Sequence, residues 1–176
     1  MKRLLLTLLL ALTLILPVAS SRADSPPVPK PLAERVNLAS HVFVGRAKRV
    51  RAVDRRGRLL KPEPTHTGYA SGVMVEVEVE LEEVLFPAAW RPTERVKVYF
   101  GGGIFSIKEM RQGFLAKSYV YLTRVYSDKG QSWFSASYPW HLVEELEKKE
   151  EIKRVLAQRL ASLTRNGTSA RSTGGF

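Results

Sequence analysis

The stretch "VMVEVEVELEEVLF" (residues 73–86) sets Glu76, Glu78, Glu80 and Glu82 at every second position, with Val75, Val77, Val79 and Leu81 between them. A period of two sends alternate side chains to opposite faces of a strand, so the pattern predicts one apolar face and one acidic face. The surrounding chain is strongly basic, with 28 Lys and Arg against 17 Asp and Glu and a net charge of +11. What the row of acids faces is the question that organises everything else in the sequence.

A counterpart of opposite sign lies upstream. Residues 46–61, "RAKRVRAVDRRGRLLK", carry eight Lys or Arg and one Asp, a local charge of +7. The first part belongs to "HVFVGRAKRVRAV" (41–53), a β-branched run that reads as a strand. Phe43, Gly45 and Ala47 share one face, and Val50 does not continue it. A slipped alternation around an interior glycine predicts a bulge or a sharp bend. Pairing of the two runs as antiparallel neighbours puts Arg46 and Lys48 opposite members of the row Glu76, Glu78, Glu80 and Glu82, and such cross-strand pairs stabilise a sheet. A calcium site wants carboxylates converging from turns, whereas a row on one strand face diverges with the sheet twist. These six residues are therefore read as structural charge pairing.

Three further strands follow: "RVKVYF" (95–100), "YVYLTRVY" (119–126) and "SWFSASY" (132–138). Residues 54–72 hold two prolines, three glycines and no period, and read as a long mobile loop. "LAERVNLAS" (32–40) has the length of one or two helical turns. After Pro139 the period changes: Leu142, Leu146, Ile152, Leu156, Leu160 and Leu163 share one broad helical face, interrupted by Lys149 and Lys153. Acid-first pairs at i, i+4 (Glu144–Lys148, Glu145–Lys149 and Glu150–Arg154) support that helix. The fold class is α+β: a small five-stranded OB-like β-barrel with a C-terminal α-helix at about 140–163, one domain over residues 32–163. Residues 164–176 are small and polar and are expected to form a disordered tail. Trp133, Phe134, Tyr138 and Trp140 are expected in the core at the sheet–helix seam.

The runs "LASHVFVGRAKRV", "VEVEVELEEVLF", "VKVYFGGG" and "SYVYLTRV" together resemble the pattern of netrin-like, tissue-inhibitor-of-metalloproteinases-like exported domains over about residues 36–126. In that pattern a "VFVG" strand precedes a "V-x-V-x-x-VL" strand, a third short strand and a "YLV"-type strand. The resemblance implies an OB-like fold. Animal members chelate a protease zinc through an amino-terminal cysteine, which this chain lacks, so that mechanism does not carry over.

The opening "MKRLLLTLLLALTLILPVASSRADSPPVPKP" has a short positive region, an apolar run at 4–16 and small residues at Ser21 and Ala23. This layout predicts a secretory signal peptide over 1–23, cleaved near Ala23, and a Pro-rich linker over 24–31. Loss of Lys2, Arg3 and Arg22 takes three positive charges from +11 and leaves +8, most of it in residues 46–61. The chain has no cysteine, which excludes disulfides, thiol catalysis and thiolate metal sites. The expected location is periplasmic or secreted.

Recognisable chemistry is sparse. His41, His66 and His141 match no metal-ligand spacing. No serine sits in a Gly-x-Ser-x-Gly elbow, and "GGGIF" lacks the lysine and hydroxyl of a phosphate-binding loop. No catalytic residue, metal or cofactor is therefore predicted. The basic loop remains: Arg55, Arg56, Arg58 and Lys61 form an electrostatic footprint for an acidic protein, with Tyr69 as an apolar anchor. An anionic membrane surface is the other candidate partner. Nucleic acid is disfavoured by export and by the lack of aromatics within the basic run. The expected function is a monomeric, exported, non-catalytic protein-binding module, an inhibitor or immunity protein against an envelope-targeting enzyme. The alternatives are an envelope enzyme with a site that no motif betrays, and a peripheral module on anionic lipid.

Overall fold

The computed structural model describes residues 30–67, 71–101, 104, 106–128, 131–136 and 143–169. The expected signal peptide, nearly all of the linker, Tyr69, Tyr138, Trp140, His141 and the last seven residues lie outside them. The elements run in the order α1 (Leu32–Leu38), β1 (His41–Val53), β2 (Met74–Phe86), β3 (Arg95–Phe100), α2 (Ile107–Phe114), β4 (Ser118–Asp128), β5 (Gln131–Ser135) and β6 (Val143–Glu144). A short 3-10 turn (Leu146–Lys148) then leads into α3 (Lys149–Ser169).

Five strands form one mixed sheet in the order β1-β2-β3-β5-β4, and β4 returns to pair with β1, so the sheet closes in a ring. The β3–β5 pairing is parallel and the others are antiparallel. The two-residue strand β6 adds to β4 at Val120 and Tyr121, which also pair with β1, so β6 lies on the edge of β4 away from β1.

The period-two pattern decides which side chains fill the ring. Val75, Val77 and Val79 of β2 point inward and are fully buried, together with Val98, Phe100, Phe43 and Tyr121. Helix α2 starts at Ser106, whose hydroxyl accepts the Glu109 N–H at 3.3 Å. Ile107 and Met110 of this helix join the interior. A second apolar layer lies outside the ring, where Val42, Val44, Val120 and Leu122 meet Val36 of α1 and Ile152 and Leu156 of α3. Strand β1 thus has two buried faces over its first half and one over its second, the composition change visible between "HVFVG" and "RAKRVRAV".

The slipped alternation in β1 is a bulge. Ala47 pairs with Val79 and Arg49 with Glu78, so Lys48 is the extra residue and the pattern resumes with Val50 and Ala52 inward. Gly45 has a different cause. A Cβ there would lie 2.5 Å from Val79 Cγ1 and 2.6 Å from the Glu80 carbonyl oxygen, so only glycine lets β1 approach β2 this closely.

The C-terminal helix differs from its expected bounds. It begins at Lys149, and residues 164–169, expected in the tail, continue it through Ser169. Glu144 and Glu145 precede the helix, so the i, i+4 pairs expected of them cannot form. Glu144 instead pairs with Arg35 of α1, and Lys149 and Lys153 both reach Glu83 on β2, the latter at 3.3 Å. These lysines interrupt the leucine face because they clamp the helix to the sheet and hold the Glu83 carboxyl below its ordinary pKa. Arg159 donates to the carbonyls of Ala39 at 2.8 Å and Val36 at 3.2 Å, closing the end of α1, and stacks over Phe86 at 4.4 Å. Leu142 of the expected leucine face lies outside the described residues; of its described members only Ile152 and Leu156 are buried, while Leu146, Leu160 and Leu163 are exposed.

Gly45→Ala is expected to cost ~1–3 kcal/mol, the usual range for overpacking a dense interior. Urea unfolding of the variant checks this, and an unchanged midpoint would contradict the close approach of β1 to β2.

Candidate functional site

The charged face of the ring spans three strands, not two. The glutamate row of β2 runs between β1 on one side and β3 on the other. From β1, Lys48 lies 2.6 Å from Glu80, Arg46 3.5 Å from Glu82 and Arg49 3.9 Å from Glu78, while Arg51 binds Glu76. From β3, Arg95 lies 3.0 Å from Glu78 and Lys97 3.5 Å from Glu76. The structure therefore brings together all six residues expected to pair, and adds Arg49, Arg51, Arg95 and Lys97. The bulge explains two of these additions, because skipping Lys48 turns Arg49 and Arg51 to the acidic side. Arg95 and Lys97 alternate with Val96 and Val98, and that period was the available signal for them.

Burial grows along the row. The Glu82 and Glu80 side chains keep 37% and 41% of their exposure, Glu78 keeps 16% and Glu76 none. Glu76 is held by Arg51 and Lys97 and accepts the Tyr99 hydroxyl at 2.8 Å. Burial, and then the hydrogen bond to Glu76, keep the Tyr99 phenol protonated well above its ordinary range. At the open end, the hydrogen bond from Lys48 holds the Glu80 carboxyl low.

The segment after β1 opens with a tight hairpin turn. Gly57 N–H donates to the Asp54 carbonyl at 2.9 Å, Asp54 N–H to the Arg58 carbonyl at 2.9 Å, and Val53 pairs with Leu59. Gly57 takes a φ of +75°, the left-handed position that closes a three-residue hairpin loop. The Asp54 carboxylate caps this turn by accepting the N–H groups of Arg56 and Arg58 at 2.8 and 2.9 Å and the Arg58 guanidinium at 2.7 Å. Those bonds, the backbone N–H of Arg58 first, lower its pKa. The signal in the sequence was "DRRG", an Asx-capped turn with glycine at its end. Farther on, Arg111 of α2 pairs with Glu63 at 2.7 Å, Ile107 N–H donates to the Thr65 carbonyl at 3.0 Å and His66 bridges to Ser106. The expectation of a freely moving loop is thus corrected for residues 54–67: the backbone is pinned at both ends of this stretch.

The expected recognition residues separate accordingly. Arg58 belongs to the turn through Asp54. Arg55, Arg56 and Lys61 are exposed, and among the described residues no ion pair holds their side chains. Tyr69 lies outside the described residues.

One aromatic cluster was not legible in the sequence. His41 at the start of β1 sits edge-on to Trp90 at 4.8 Å and Phe134 at 5.1 Å, and Phe43 stacks on Tyr121 at 5.3 Å beneath them. Phe134 therefore packs toward the ring interior, a correction to its expected place at the helix seam, and His41 is half-buried. Burial lowers the His41 pKa from its ordinary 6.5. Among the described residues the Tyr121 hydroxyl finds no hydrogen-bond partner, and no group of His, Asp or Glu is placed to hold a metal ion.

Two predictions follow from this geometry. Glu76→Ala leaves Arg51 and Tyr99 without their buried acceptor and is expected to cost ~3 kcal/mol in chemical denaturation, whereas Glu80→Ala, at the exposed end, should change stability far less. His41, whose pKa is depressed on folding, contributes stability that is fully present above pH 6.5 and is lost as pH falls toward its folded value. The melting temperature should therefore drop between pH 7 and about pH 5, and His41→Gln should flatten that part of the profile.

Compared with known proteins, the chain matches no family model and no curated sequence.

Proposed function

We propose that the protein is an exported, non-catalytic binding module that recognises an acidic protein through the hairpin tip after β1. One observation carries the reading: the basic residues divide into two populations. Those on β1 and β3 are taken up by the glutamate row, whereas Arg55 and Arg56 on the fixed turn, and Lys61 just beyond it, are displayed without an acidic partner among the described residues. A rigid turn costs less ordering on binding than a mobile loop, and unneutralised arginines steer an acidic surface toward it. Arg58 supports the tip and does not belong to the recognition set.

The ring order β1-β2-β3-β5-β4-β1 with its parallel β3–β5 closure, and a helix between β3 and β4, support reading the sheet as a small OB-like barrel of the netrin-like kind. In OB barrels the connection between the first two strands is a common recognition element, and here it carries the free arginines. The amino-terminal pattern of charged, apolar and small residues supports export to the periplasm or beyond. An inhibitor or immunity role against an envelope-targeting enzyme fits a module of this size and charge. Among the described residues no helix is long and apolar enough to cross a membrane.

The test is a pull-down from periplasmic extract with the exported chain, followed by kinetics with the recovered protein. Arg55→Glu with Arg56→Glu is expected to leave the melting temperature unchanged and to slow association several-fold at low salt, the gap closing as salt rises. An on-rate indifferent to both substitutions and salt would sink the proposal. Equal binding to anionic lipid vesicles without any protein partner would replace it with the membrane reading.

A further inference from the structure

A second surface of opposite sign lies between α2 and β6. There the molecule opens into a cleft of about 440 Å³ with a floor of Met110, Phe114, Tyr119 and Val143. Glu109 of α2 and Glu145, just after β6, stand at its rim. Glu144 also lines it, but its carboxylate is taken by Arg35. Among the described residues no cation pairs with Glu109 or Glu145, and both are exposed. In a chain of net charge +11, whose sheet glutamates are nearly all matched by Lys or Arg, these two carboxylates stand over an apolar floor. The Tyr119 hydroxyl donates to the Gly113 carbonyl at 2.8 Å, which ties the side chain to α2. The Tyr119 pKa is raised by burial and, second, by the charge of Glu145.

We propose that this cleft binds a lysine or arginine side chain presented by an extended segment of a partner protein. The long aliphatic stem of such a side chain matches the floor of Met110, Phe114, Tyr119 and Val143. Its cationic head reaches Glu109 and Glu145 at the rim, where charge-assisted hydrogen bonds form and the Tyr119 and Phe114 rings add cation–π attraction. The site is independent of the hairpin tip: it has the opposite charge and selects a basic segment where the tip selects an acidic surface.

The test uses the full exported chain, isotope-labelled, titrated with the capped pentapeptide Gly-Val-Arg-Val-Gly and with the same peptide carrying norleucine in place of arginine. The arginine peptide should give saturable resonance shifts confined to α2, Tyr119 and Val143–Glu145. The norleucine peptide should bind at least about tenfold more weakly. Glu109→Gln with Glu145→Gln, both at exposed positions, should leave the melting temperature unchanged and weaken the arginine peptide by a similar factor. Three results would overturn the proposal: no saturable shift at millimolar peptide, shifts located elsewhere, or unchanged affinity in the double variant. Spermidine binding as tightly as the peptide would overturn it as well, since the apolar floor would then contribute nothing.

Discussion

The pairing of β1 with β2 is the constraint on which the rest of the molecule depends. These two strands are the longest in the sheet, and their register sets two faces at once. On the inner face Val75, Val77 and Val79 meet Ala52, Val50 and Ala47, and a slip of one residue would send every valine to water. On the outer face the same slip would remove each glutamate from its arginine or lysine. Apolar burial supplies most of the stability. The charge ladder penalises wrong registers, because an unpaired Glu76 at full burial costs more than any single exposed pair returns.

The local departures in β1 serve that pairing. Gly45 lets the strand approach β2 at the point where its first half is covered on both sides, and the extra residue Lys48 restores the inward alternation after it. The strand then continues into the Asp54–Arg58 hairpin, whose Gly57 lies over Tyr99 and helps to bury the Tyr99–Glu76 pair. The exposed arginines at the tip and a buried ion pair at the ladder's end are thus parts of one continuous structure. Substitutions at the tip that keep Asp54 and Gly57 leave the ladder intact.

The helices extend the same logic outward. α3 is held not by its own surface pairs but by Lys149 and Lys153 on Glu83 and by Arg159 on the end of α1. Arg35 ties α1 to Glu144 of β6. Each contact uses a charged residue that would read as surface decoration in isolation. The Arg35–Glu144 pair also holds β6, whose Val143 and Glu144 line the acidic cleft.

Much of the fold was written in local patterns. The period of two in residues 75–82, the slipped alternation around Gly45 and the change to a helical period near the end determined the α+β class, the bulge and the C-terminal helix, because backbone geometry alone converts those spacings into faces. The glutamate row announced a basic neighbour, and Arg46 and Lys48 could be named from antiparallel adjacency. Tertiary structure decided the rest. Arg49 and Arg51 reached the acidic face only through the bulge, and Arg95 and Lys97 only because β3 flanks β2 on its other edge. Glu144 and Glu145 left their helical partners because α3 starts later than its leucine spacing implied, once Glu83 had captured Lys149 and Lys153. His41, Trp90 and Phe134 are far apart in sequence, and only the closing of the ring brings them into contact. Sequence spacing reports which residues share a face of one element; which faces meet is decided by burial summed over the whole chain.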